Sequence, residues 1–210
     1  SYTHKILTGR KEQLHTLRQK GGLSGFPKSS ESEHDLFVAG HASTSISAAL
    51  GIAEAKKISG KDESVVAVVG DGACSGGMIF EAMNNAGRSK TNLVVVLNDN
   101  EMSISHNVGA MAKYLTDIRS REGYFHFKDS LEHTLLKIPV IGKGVFNVLR
   151  HIKTFFKDVF YSSNTFEHFG FTYLGPADGH DIAVLIRTFR RAKQIKKPVL
   201  VHINTVKGRG

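Results

Sequence analysis

Two short apolar runs constrain this chain more than any other feature. Val65-Val66-Ala67-Val68-Val69 and Leu93-Val94-Val95-Val96-Leu97 are rich in β-branched residues and show no alternation with polar ones. That pattern predicts buried strands covered on both faces of a parallel sheet. Between them, residues 77–86 read as a helix with Phe80 and Met83 on one face, which completes a βαβ unit. A third run, Val199-Leu200-Val201-His202-Ile203, reads as a further strand. Ile182, Leu185, Ile186 and Phe189 precede it at helical spacing. The fold class is therefore α/β, a mostly parallel sheet with helices on both faces.

The remaining segments fit around that frame. Residues 1–35 are polar and glycine-rich and read as loop with a short helix. Small residues dominate from Gly40 to Gly51, a loop opening a closely packed helix that runs to about Lys57. Residues 103–167 are basic and aromatic with weak helical periods, and read as a helical insertion. A length of 210 residues suits one domain, 1–210, with that insertion inside it. No apolar run reaches the length of a membrane span, and no signal pattern opens the chain, so neither membrane nor export is expected. The single cysteine, Cys74, excludes an internal disulfide framework and fits a reducing cytoplasm. The net charge of +9 favours anionic partners, but the basic residues are scattered and no nucleic-acid motif accompanies them.

The chemistry gathers where the first two strands stop. One ends in Gly70-Asp71-Gly72 and the other in Asn98-Asp99-Asn100. Strands of a βαβ unit run parallel, so both triplets fall on the carboxyl edge, where open α/β sheets bind ligands. The glycines allow a sharp turn and close backbone approach. The helix that follows offers free N–H groups and a positive dipole end to a phosphate. Asp71 and Asn100 supply hard oxygens of the kind Mg²⁺ takes when it bridges protein to a diphosphate. Neither a P-loop nor the glycine fingerprint of a dinucleotide site follows the first strand. A Gly-Asp-Gly turn alone is weak evidence, but the paired triplets are far more specific.

The run from Gly70 through Ala73, Gly77-Met78, Phe80-Glu81-Ala82-Met83-Asn84 and Leu97 through Ser105 resembles the 1-deoxy-D-xylulose-5-phosphate synthase family of thiamine-diphosphate enzymes. Asn107-Val108-Gly109-Ala110, Leu174-Gly175-Pro176, Asp178-Gly179-His180-Asp181 and Lys207-Gly208-Arg209-Gly210 agree, as do Lys5 to Arg10 and Arg18 to Leu23. The resemblance spans almost the whole chain and separates it from transketolase proper. It implies Mg²⁺ held by Asp71, Asn100 and the backbone carbonyl of Met102. It implies thiamine diphosphate contacted by Gly40, His41, Ala42, Gly72, Ala73, Asn100 and Lys207, with His41 as the candidate for proton transfer. Plainer readings stay open: His41 as a helix-entry histidine, Lys207 as a surface cation, and His180 and Asp181 as helix caps. Ala42 stands where the family usually has serine.

The implied reaction is condensation of pyruvate with D-glyceraldehyde 3-phosphate, releasing carbon dioxide and giving 1-deoxy-D-xylulose 5-phosphate for isoprenoid, thiamine and pyridoxal synthesis. A cytoplasmic homodimer is implied for the full-length enzyme. Family members extend beyond both ends of this sequence, so the chain is expected to be a diphosphate-binding piece, inactive alone. Two rivals remain: half of another transketolase-like enzyme, or a non-catalytic module that holds Mg²⁺ and diphosphate or pairs with a partner.

Overall fold

The computed structural model describes residues 1–89, 91–100, 102, 110–120 and 165–209. In chain order the principal elements are α1 (Tyr2–Lys5), α2 (Ser45–Ile58), β1 (Val65–Gly70), α3 (Gly77–Ser89), β2 (Leu93–Asp99), α4 (Ala110–Ser120), α5 (Thr165–His168), β3 (Thr172–Asp178), α6 (Ile182–Gln194) and β4 (Val199–Asn204). The four strands form one sheet in the order β1-β2-β4-β3, and every pairing is parallel. The two apolar runs and the third one form β1, β2 and β4 as read from the sequence.

The larger core lies on one face of this sheet. Helix α2 presents Ile46, Ala49, Leu50 and Ala53 at helical spacing, and α3 presents Ile79, Ala82, Met83 and Ala86. They close over Val65, Ala67 and Val69 of β1 and over Leu93, Val95 and Leu97 of β2. The alanines keep the helices near the sheet, while the larger side chains each contribute about 1.5–3 kcal/mol by burial. On the opposite face a smaller core joins Val94, Val96, Leu174, Val199 and Val201 to Ala192 of α6.

Three expectations need correction. Strand β1 is not covered on both faces: Val66 and Val68 are 53% and 67% exposed. Among the described residues it is an edge strand, and α6 lies over β3 and β4 on the other side of the sheet. Helix α6 forms where its spacing predicts, yet Ile182, Ile186 and Phe189 of its apolar face are exposed. The sheet also has a strand, β3, that the sequence reading did not assign. Its Gly175-Pro176 pair interrupts the register between Leu174 and Ala177, which hides the strand pattern. Of the expected insertion, Ala110–Ser120 and Thr165–His168 are helical, while 103–109 and 121–164 lie outside the described residues.

Residues 1–35 are held by charges rather than by an apolar core. Lys5 is fully buried, with its Nζ 2.5 Å from Glu31 Oε2. Arg10 grips Asp35 through two nitrogens, each at 2.8 Å, and His4 Nε2 lies 2.8 Å from the same carboxylate. The N–H groups of Ser24 and Lys28 donate to Glu31 and Asp35 respectively. Buried charges are tolerated only when paired in this way.

Candidate functional site

The register places the strand ends side by side. Gly70 pairs with Asn98, and Asp99 pairs with Asn204. Asp71 opens a short turn, Asp71–Ser75, directly after β1, and Asn100 follows β2 by one residue. The two residues read as cation ligands therefore share the carboxyl edge. Asn100 also shapes its own loop, because its Oδ1 accepts the N–H of Met102 at 2.9 Å. That bond brings the third implied ligand back towards the amide.

Asp71 and Asp99 are both buried, and their carboxyl groups are hydrogen-bonding neighbours. Burial pushes the Asp71 carboxyl above the ordinary carboxylate range, and the Asp99 charge adds to the shift. The N–H of Gly72 pulls the other way. Two acids this close and this dry favour a cation or a proton between them. Among the described residues no group of three or more His, Cys, Asp or Glu gathers that could hold a metal. A cation at Asp71 would thus be completed by amide, backbone and ligand oxygens, a donor set that suits Mg²⁺ rather than Zn²⁺.

The loop 40–44 is brought against the same turn by a residue the sequence reading passed over. Ser43 adopts φ +66° and donates its hydroxyl to the carbonyl of Ala73 at 2.7 Å. Gly76 closes on it from the other side: a Cβ there would stand 2.4 Å from Ser43 Oγ. Gly40, His41 and Ala42 directly precede this tie to Ala73, and all three are exposed. The His41 carbonyl accepts the Thr44 hydroxyl at 3.0 Å, which fixes the turn into α2. Only the positive φ at Ser43 marks this stitch, and a serine in a Ser-Thr-rich run gives no sequence sign of it.

Lys207 lies just beyond β4, exposed, on the same edge of the sheet. Its segment is held by two bonds: Thr205 N–H donates to the Asp99 carbonyl at 2.8 Å, and Val206 N–H donates to His180 Nε2 at 2.8 Å. Asp181 is the N-cap of α6, accepting Val184 N–H at 3.0 Å. The helix-cap reading thus holds for Asp181, whereas His180 ties β4's outgoing segment to β3's end. Cys74 is buried on the turn itself, and burial, with the charges of Asp71 and Asp99, pushes its thiol up to about 12.

A family model described as 1-deoxy-D-xylulose-5-phosphate synthase matches residues 1–205. Curated proteins of that name resemble the chain along its length. The one from Desulforudis audaxviator is 56% identical over 209 residues, covering 100% of this chain and 33% of its own length. Those from Halothermothrix orenii and Natranaerobius thermophilus are 55% and 53% identical over 210 residues, with the same coverage. The chain thus spans about a third of the length of these relatives.

Proposed function

Since the chain belongs to the 1-deoxy-D-xylulose-5-phosphate synthase family, we propose that it forms the Mg²⁺-diphosphate half-site of a thiamine-diphosphate-dependent transferase. The observation that carries this reading is the juxtaposition of Asp71 and Asn100 at one sheet edge, with Asp71 buried against Asp99. Asp71, Asn100 and the Met102 carbonyl hold Mg²⁺. The turn at Gly72 and Ala73, the 40–42 loop and Lys207 contact the diphosphate. When bound, thiamine diphosphate supplies the nucleophilic carbon and electron sink for joining pyruvate to D-glyceraldehyde 3-phosphate with loss of carbon dioxide.

The protein's share is orientation and charge. The Asp71–Ser75 turn follows β1 directly at the carboxyl edge, with Gly70 and Gly72 flanking Asp71 so that a phosphate can approach the backbone closely. His41, exposed on a loop fixed by Ser43, is the candidate for proton transfer to or from the substrate. The full-length protein acts as a cytoplasmic homodimer.

The test is calorimetric titration with thiamine diphosphate, with and without Mg²⁺, on wild type and Asp71→Ala. Mg²⁺-dependent binding that disappears in the variant is the expected result. Binding that survives Asp71→Ala would sink the assignment. Because the chain covers a third of its relatives' length, the titration is run on the full-length polypeptide as well.

A further inference from the structure

Beneath the carboxyl edge runs a chain of buried polar contacts that the proposed cation and diphosphate contacts do not use. His202, on β4, is fully buried. Its Nε2 lies 3.0 Å from Asp99 Oδ2, and its Nδ1 lies 2.8 Å from the Tyr173 hydroxyl. A carboxylate only accepts, so Nε2 carries a proton and donates to Asp99. In the neutral ring Nδ1 is then the acceptor of the Tyr173 O–H, and the tyrosine fixes both tautomer and ring angle.

Tyr173 is itself clamped. It stacks on Phe166 with ring planes 1° apart, and Phe166 in turn meets Tyr114 of α4 at a centroid distance of 6.0 Å. Tyr173 also meets the His202 ring edge-on. Gly175 lets β3 press against β4 at this point. It has φ +134°, and a Cβ there would lie 2.4 Å from the His202 carbonyl. The contacts thus run from β3 through β4 to β2 and end at the carboxylate beside Asp71.

We propose that His202, held by Tyr173, is a positioning residue for the cation site: it pins Asp99 so that Asp71 stays directed to the bound cation. The inference rests on the reading of Asp71 as a cation ligand. Its chemistry is that of an outer hydrogen bond that orients a ligand shell without touching the metal. His202 is too deeply buried to reach substrate. Without the Nε2 donor, the Asp99 carboxylate beside Asp71 loses the bond that fixes its orientation, and the ligand geometry is lost.

Mn²⁺ with thiamine diphosphate serves as the probe, with bound Mn²⁺ followed by electron paramagnetic resonance in the full-length polypeptide. His202→Phe is expected to weaken Mn²⁺ binding about ten- to a hundredfold. His202→Gln, which keeps a donor near the Nε2 position, should recover most of that loss. Tyr173→Phe, which removes one hydrogen bond and no packing, should weaken binding about fivefold. An unchanged Mn²⁺ affinity in a folded His202→Phe, or equal loss in His202→Gln and His202→Phe, overturns the proposal. If His202→Phe fails to fold, Tyr173→Phe decides, and unaltered affinity there overturns it. Asp71→Ala separates the premise from the inference: Mn²⁺ binding that survives it refutes the cation site itself, whereas its loss beside normal binding in the His202 and Tyr173 variants refutes the positioning role alone.

Discussion

Replacing Glu31 with glutamine should expose how much the N-terminal segment depends on a single buried charge pair. Burial pushes the Glu31 carboxyl up, but hydrogen bonds from the Lys5 ammonium and from Ser24 outweigh it and bring it down to about 2 from 4.5. At about 1.4 kcal/mol for each tenfold change in proton affinity, that lowering corresponds to about 3 kcal/mol. Glu31 keeps 14% of its side chain exposed, so solvent screening trims the figure to about 2 kcal/mol. The variant also leaves Lys5, with no exposure at all, facing a neutral amide. Stranding a buried charge costs about 3 kcal/mol or more. The sign of the pH effect follows from the lowered carboxyl. Its stabilisation is complete above pH 4.5 and is lost as the pH falls towards 2. Urea unfolding followed by far-ultraviolet circular dichroism should therefore show Glu31→Gln about 2–3 kcal/mol less stable at pH 7, with a much smaller gap at pH 3. Adding Lys5→Met should restore most of the loss at pH 7, because both charges are then gone. A gap under about 0.5 kcal/mol at pH 7, a gap equally large at pH 3, or no recovery in the double variant would refute the reasoning.

Two further outcomes follow from the turn after β1. Cys74, buried and with its thiol pushed up to about 12, should resist iodoacetamide at pH 8 in the folded chain and react fully in urea; mass spectrometry showing fast labelling of the native protein would contradict this. Gly76→Ala should push Ser43 off the Ala73 carbonyl, since the new methyl would stand 2.4 Å from Ser43 Oγ. Loss of that bond, worth about 1 kcal/mol, should weaken diphosphate affinity about fivefold by calorimetry, and unchanged affinity would count against the role given to Ser43.

What could be read from the sequence was whatever is local. The apolar runs marked β1, β2 and β4, and the triplets at the ends of β1 and β2 lie together at the carboxyl edge of the sheet. Spacing also located α6, but not which of its residues are covered, since that depends on the strand order. Strand β3 escaped because its glycine and proline argue locally against a strand, and only pairing with β4 makes it one. The partners of the buried contacts are remote in sequence: His202 and Asp99 stand 103 positions apart, and Lys5 and Glu31 stand 26 apart. No periodicity links such residues. Ser43 was missed for a different reason, since its role rests on a backbone conformation that serine rarely adopts.

The strand order has a consequence for how the molecule is made. The last of the four described strands, β4, does not sit at the rim; it lies between β2 and β3 and hydrogen-bonds to both. During synthesis β1, α3 and β2 can condense early, because their contacts are local. β2 must then present an open edge until β4 emerges, and β3 has no place in the sheet before that moment. An open edge of parallel strand is a template for wrong partners. The buried pair of His202 and Asp99 is therefore among the last contacts to form, and a nascent chain halted before β4 has β2 unpaired on the side that β4 takes. Ribosome-bound chains of increasing length, probed by limited proteolysis, should gain protection in one step as β4 clears the exit tunnel.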